Sequence, residues 1–368
     1  MSAVPKLFSP IQVGTSALKH RVVLAPLTRY RANIHHVLLD IVAMYYEQRG
    51  SEPGTLLTTE ATFIAPKAGG YNHVPGIWNQ DQINSWKRVT DAVHTKGSFI
   101  YLQLWALGRA AKLDVLRSED PSFELVSASD VKLSTSEWTP RPLRIDEIKE
   151  YTQLYAEAAS NAVQAGFDGV EIHGATGYLI HQFLEPSSNK RTDRYGGSIE
   201  NRSRFGLEVV DAVANAIGAS KTGIRLSPWN RFQDMRMDDP IPQYTHFVTS
   251  LKDAHPDLAY IHVVEPRVNG SEDIPGGPPK GESNDFIRNI WSPRPLISAG
   301  GYNRSIALRV AEKKRDLIAF GRHYISNPDL PKRLRKDIPL HPYNRSTFYT
   351  PESPVGYIDQ PFAEDEEL

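Results

Sequence analysis

His173, Thr176 and Tyr178 fall within six residues of one another. An imidazole and a phenol this close can face one ligand and exchange protons with it. They leave an apolar run, Asp168–Ile172, that follows a helical segment and reads as a buried parallel strand ending where polar chemistry begins. Other reactive types are scattered along the chain. Glu60, Glu171 and Glu265 could supply the carboxylate pair of a glycoside hydrolase or could be ion-paired strand ends. Arg225 could meet a ligand or a buried carboxylate. Gly300-Gly301 and Gly321-Arg322 could form a phosphate site or plain turns.

Something must bring these positions together, and the alternation of the chain supplies it. Phe8–Val22 reads as a short hairpin lid, and Arg21–Ala25 as a first strand broken at Pro26, with Thr28 beyond its end. Thr55–Thr59 is a second strand ending at Glu60. Ile83, Trp86, Val89 and Val93 recur at helical spacing before Gly97, a C-cap, and Ser98–Leu104 forms a third strand with Gln103 near its end. Ala106–Arg144 has no clear period and reads as an excursion over the active face, a candidate lid. Asp146 is expected to cap the helix carrying Ile148, Tyr151, Tyr155, Ala158 and Ala162, which leads into the strand before His173. Helices near Ile199–Ile217, Gln243–Asp253 and from Arg304 alternate with strands Thr222–Ser227, Ala259–Val264, Arg294–Ser298 and Asp316–Phe320.

Eight such strands with no linker between them predict a closed (β/α)₈ TIM barrel, residues 1–368 forming one domain. In that register Thr28, Glu60, Gln103, His173, Arg225, Glu265, Gly300 and Gly321 all reach C-terminal strand ends, the catalytic face of the fold. The glycines after strands seven and eight precede helix starts, where these barrels bind phosphate, and Arg322 would add a charge-assisted hydrogen bond.

Composition narrows the chemistry. The chain has 368 residues, 40% hydrophobic and 23% charged, with a net charge of −1, so no basic field is present to hold nucleic acid or an anionic membrane. No cysteine is present, which removes disulfides, thiolate nucleophiles and Cys-ligated metal. Met1–Leu7 lacks the pattern of a signal peptide, the Asn-x-Ser matches at Asn201, Asn269, Asn303 and Asn344 read as chance, and a cytoplasmic location is expected. Glu364–Glu367 reads as a solvated acidic tail.

The blocks Ala25-Pro26-Leu27-Thr28-Arg29, Thr59-Glu60-Ala61, Gln103-Leu104-Trp105, Val170-Glu171-Ile172-His173, the run Asn189–Arg202, Arg225-Leu226-Ser227-Pro228, Ala299-Gly300-Gly301 and Phe320-Gly321-Arg322 occur in one order across almost the whole chain. Together they resemble the Old Yellow Enzyme family of FMN-dependent ene-reductases, in its fungal and plant branch. Thr28 stands where the cysteine subtypes of that family carry Cys.

The resemblance implies a tightly but non-covalently bound FMN, reduced by NADPH, and an electron-poor alkene such as an α,β-unsaturated carbonyl compound as substrate. It implies that Thr28 bonds the flavin beside N5, that Gln103 and Arg225 contact the pyrimidine edge and stabilise the charge of the reduced ring, and that Pro26 and Ala61 pack on the ring. Gly300, Gly301, Gly321 and Arg322 would hold the phosphate. His173 and Thr176 would bond the substrate carbonyl and Tyr178 would protonate the alkene. Trp105 would shape the acceptor pocket, with Phe348 and Tyr349 at its rim. Many members carry Asn where this chain has Thr176, whose hydroxyl reaches less far. Tyr178 favours reduction over double-bond isomerisation, the reading with a hydrolase and a non-catalytic flavin binder as alternatives. The assembly expected is a monomer or homodimer, with no metal.

Overall fold

The computed structural model describes residues 4–364; most of the acidic run Glu364–Glu367 and the first residues of Met1–Leu7 lie outside the described residues. Eight short parallel strands pair in chain order: β1 (Val22–Leu24), β2 (Leu56–Thr58), β3 (Phe99–Trp105), β4 (Gly169–Gly174), β5 (Thr222–Leu226), β6 (Tyr260–Val264), β7 (Leu296–Ala299) and β8 (Leu317–Phe320). β8 pairs back with β1, so the barrel closes. A helix follows each strand: α1 (Ile41–Arg49), α2 (Gln80–Thr95), α3 (Ile145–Gln164), α4 (Ile199–Ile217), α5 (Ile241–Ala254), α6 (Asp285–Trp291), α7 (Arg304–Lys314) and α8 (Leu330–Lys336). The expected (β/α)₈ architecture is present.

Strand alternation sorts the side chains into two cores. Val170, Ile172, Ile224, Leu226, Ile261 and Val263 face outward against the helices. Tyr101, Tyr260, Ile297, Ala299 and Ala319 face into the barrel, joined there by Val13 and Leu18 of the N-terminal hairpin. That hairpin, Ile11–Val13 paired with Ser16–Leu18, is the expected lid, though not on the active face. Val13 and Leu18 pack with Leu56 and Ala259, at the strand starts, so the hairpin closes the opposite mouth. Its turn needs Gly14 because a Cβ there would meet Ser220 O at 1.8 Å.

Two local expectations are corrected. Ala106–Arg144 is not a lid: it holds a helix (Leu113–Glu119) and a parallel pair, Val126–Ser127 with Arg141–Pro142. Leu113, Leu116 and Leu125 bury against Phe63 and Trp105 beside the barrel, which long-range packing decides and local periodicity cannot show. Asp146 caps nothing. α3 starts one residue earlier, and Glu147 instead accepts the Arg144 N–H at 2.8 Å while a doubly bonded Arg141 holds its carboxyl down to about 2. Near the seventh strand, α6 buries Ile287 and Trp291.

Candidate active site

At the C-terminal ends of the strands lies a cavity of about 470 Å³. Pro26, Thr28, Ala61, Gln103, Trp105, His173, Thr176, Tyr178, Arg225, Gly300, Gly301, Gly321, Arg322, Phe348 and Tyr349 all line it. Residues far apart in sequence therefore share one space, as the barrel register requires. The excursion Ala106–Arg144 contributes no wall among the described residues. It acts one step back: Arg109 donates to Gln233 O at 2.9 Å and steadies the loop bearing Phe232, which does line the cavity.

Register sets the floor. Gln103 of β3 lies opposite Glu171 of β4, and Arg225 of β5 lies between His173 of β4 and His262 of β6. Gln103 Nε2 donates to Glu171 Oε1 at 2.7 Å, and His262 Nδ1 bonds Glu171 Oε2 at 2.8 Å. Burial raises the Glu171 carboxyl, but His262 and Arg225 outweigh it and leave the group below its ordinary value. Because a carboxylate only accepts, the Gln103 amide must turn its NH₂ inward. Its oxygen is then free to face the cavity as an acceptor. On the same floor, Arg225 Nε is buried without a hydrogen-bond partner.

His173 is buried, and its Nδ1 accepts the Ala175 N–H at 3.4 Å, which leaves Nε2 as the protonated donor. Burial first, then the nearby Arg225, pushes its pKa well below the usual imidazole value, so the ring stays neutral. Tyr178 packs edge-on to Trp105 with centroids 4.7 Å apart and to His173 at 5.0 Å. Burial drives its phenol well above the ordinary range and keeps the proton on it. Thr176 sits between them with φ of 53° and its N–H on Ser227 Oγ at 2.8 Å. A β-branched residue is rarely found in that left-handed region.

The far end of the cavity suits an anion. Gly300 and Gly301 take φ of 115° and 60°, which opens their backbone to the cavity. Arg267 donates to Gly300 O at 2.6 and 3.1 Å and fixes the turn. Arg322 begins a short helix, Arg322–Ser326, and bonds Tyr343 Oη at 3.2 Å as well as Asp273. Arg267, Asp273 and Tyr343 were not legible from sequence, because they come from loops without a motif.

A terminal strap builds the rim. Arg29 donates to Phe348 O at 3.0 Å and Gly356 O at 2.9 Å, and Arg31 to Ser353 O at 2.9 Å. Phe348 is buried, whereas Tyr349 is half exposed and tilts against Tyr30 at 5.9 Å. Behind them Glu60 accepts the Arg29 N–H at 3.0 Å; burial pushes its carboxyl up to about 7. Glu265 is bonded by Arg288 at 2.6 Å. None of Glu60, Glu171 and Glu265 lines the cavity, so the hydrolase alternative loses its carboxylate pair. Among the described residues no group of three or more His, Asp or Glu could hold a metal, and no helix is long and apolar enough to cross a membrane.

The buried partnerless Arg225 Nε, the outward Gln103 oxygen and the open Gly300-Gly301 backbone fit a planar heterocycle with a phosphate tail, as in FMN. Comparison with known proteins gives the same direction. Residues 6–341 match the NADH:flavin oxidoreductase / NADH oxidase family. The chain is similar to the NADP-dependent oxidoreductase lnbE of Aspergillus flavus, at 50% identity over 98% of this chain and 97% of that one. It is equally similar, at 50% over 98% and 95%, to the probable inactive dehydrogenase easA of Claviceps fusiformis. Its fold matches the crystal structure of Old Yellow Enzyme from Pichia sp. AKU4542 with a TM-score of 0.89 and 37% identity, covering 98% and 95% of the two chains.

Proposed function

The chain belongs to the NADH:flavin oxidoreductase / NADH oxidase family, and from that premise we propose that it is an ene-reductase using FMN and NADPH to saturate the C=C bond of α,β-unsaturated carbonyl compounds. The observation that carries this reading is the pairing of a neutral His173 donor with a protonated Tyr178, 5.0 Å apart in one cavity. FMN held in this cavity would supply hydride transfer between the nicotinamide and the alkene.

The protein's own residues do the rest. His173 Nε2–H, with the Thr176 hydroxyl, donates to the carbonyl oxygen and draws electron density from the conjugated bond. Tyr178 gives its proton to the neighbouring carbon. Arg225 offsets negative charge at the pyrimidine edge, and Gln103 accepts a ring N–H. Thr28, Pro26 and Ala61 face the ring, while Gly300, Gly301, Gly321 and Arg322 take the phosphate. Trp105, Phe348 and Tyr349 give the acceptor end its aromatic walls, suited to an uncharged substrate. The relative described as NADP-dependent supports NADPH as reductant.

A relative described as probably inactive raises the possibility of a non-catalytic binder. Retention of His173 and Tyr178 in the cavity speaks against it here, and Tyr178 also speaks against isomerisation. The test is an anaerobic absorbance spectrum of purified protein before and after NADPH, then after cyclohexenone. A flavin band that bleaches with NADPH and returns with the enone supports both half-reactions. Absence of any flavin after FMN is supplied would overturn the reading.

A further inference from the structure

Between Thr176 and Tyr178 stands Gly177, with φ of 87°, so two successive residues of this loop are left-handed. Its Cβ position is already crowded: a methyl would lie 2.7 Å from Gln233 Cβ. Such a turn does not hold itself, since left-handed backbone persists where its surroundings over-determine it. Here both polar groups of Gly177 are taken by the helix that follows, Leu179–Leu184. The N–H donates to His181 Nδ1 at 2.9 Å, and the C=O accepts from Gln182 Nε2 at 2.8 Å.

Each clamp is itself fixed from behind. His181 Nε2 bonds Glu185 Oε1 at 3.2 Å, and both side chains are fully buried. A carboxylate can only accept, so Glu185 puts the imidazole proton on Nε2 and leaves the Nδ1 lone pair for Gly177. Gln182 is held through its oxygen, which accepts from the Arg109 N–H at 3.1 Å and Ser127 Oγ at 2.8 Å. Its amide orientation is therefore also settled, with the NH₂ toward Gly177. Neither His181 nor Gln182 lines the cavity.

We propose that His181, oriented by Glu185, and Gln182 are positioning residues that grip the peptides on either side of Gly177, through its N–H and its C=O, and so aim Thr176 and Tyr178 into the cavity. The aiming matters for turnover only if Tyr178 is the proton donor, so that part rests on the function proposed above; the grip itself does not. Displacing a reacting group by about 1 Å can cost on the order of a hundredfold in rate, so loss of a grip should be visible in kcat before it is visible in cofactor binding.

The experiment compares the FMN-loaded wild type with His181→Phe, which keeps a ring and removes both nitrogens, and with Gln182→Leu, read in its place if the first does not fold. Hydrogen–deuterium exchange over 175–179 is measured alongside FMN affinity and enone turnover. The expected result is about tenfold or faster exchange confined to that segment, FMN affinity within about twofold, and kcat lowered about tenfold or more with a smaller change in KM. Glu185→Gln, whose amide can accept from His181 Nε2 or donate to it, should give exchange and kcat between those of wild type and His181→Phe. Unchanged exchange in the variants, or FMN affinity falling in step with kcat, would overturn the proposal. Faster local exchange in a protein without enone activity would uphold the grip and sink the ene-reductase reading instead.

Discussion

Gln103 gives its amide nitrogen to Glu171 at 2.7 Å, so a residue that lines the cavity presents to it an oxygen chosen by a carboxylate outside the lining. Glu171→Gln removes that instruction, because a second amide can pair with Gln103 in either orientation. FMN affinity, read by flavin fluorescence on titration into the apoprotein, should fall by about fivefold or more, corresponding to roughly 1 kcal/mol for a weakened buried hydrogen bond. An unchanged affinity would mean the Gln103 oxygen does not meet the flavin.

Thr176 occupies left-handed backbone that suits Asn better than a β-branched residue. Thr176→Asn should stabilise the protein by about 1 kcal/mol, seen as a rise of roughly 1–2 °C in Tm for a chain of this length. It should also leave the donor role intact, since an amide donates as a hydroxyl does. A lower Tm would show that the hydroxyl makes a contact worth more than the strain.

Tyr178→Phe keeps the ring that packs on Trp105 and removes the proton. Flavin reduction by NADPH should proceed as in the wild type, while enone reduction falls by about a hundredfold to ten-thousandfold, the usual weight of a general acid. Stopped-flow measurement of the two half-reactions separates these outcomes. Equal loss in both would show that the phenol serves binding and not proton transfer.

His20 is buried, with Nδ1 accepting the Val22 N–H at 3.2 Å and Nε2 bonded to Thr55 Oγ1 at 2.9 Å; burial, then Arg335, brings its pKa down to about 4. The unfolded chain takes a proton near 6.5 that the folded one refuses, so this contribution is present above about 6.5 and is lost as pH falls towards about 4. The loss is about 3 kcal/mol at its fullest. Glu60, pushed up to about 7, slopes the opposite way over part of this range and is common to both chains in a comparison. Denaturant melts of wild type and His20→Gln at pH 7 and pH 4.5 should therefore show a shallower acid loss in the variant. Parallel losses would remove His20 as the cause.

Removing the open backbone at the anion end gives a last check. Gly300→Ala places a Cβ at φ of 115° and 3.0 Å from Val268, so the turn must shift. FMN affinity should fall by about tenfold or more, whereas riboflavin, which lacks the phosphate, should bind with a smaller change. An equal loss for both ligands would place the damage elsewhere than at the phosphate.

Most of the fold was legible because a barrel of this kind repeats one local signal, a short apolar strand followed by a helix with a 3.6-residue stripe. His173, Arg225 and Gly300 were found through that register, each at a strand's end. What escaped depends on pairs distant in sequence. Nothing near Gln103 tells which way its amide points until Glu171 lies opposite, and nothing in Ala106–Arg144 tells that Leu113 and Leu125 bury beside Trp105. Asp273 and Tyr343 reach the cavity from segments with no periodicity at all. The helix capping at Asp146 failed for a local reason, as Glu147, six residues beyond Arg141 of the preceding strand, had the stronger pairing.

Arg29 and Arg31, close to the first barrel strand, hold the carbonyls of Phe348, Ser353 and Gly356, which come after the last. The rim of the cavity is therefore a junction between a segment just after the first barrel strand and one that follows the eighth. A nascent polypeptide with all eight strands exposed would still lack it, and a barrel could close and begin to gather its ligand before the acceptor end had walls. Completion of the site in this sense waits on residues made after the eighth strand, and follows closure of the barrel rather than accompanying it.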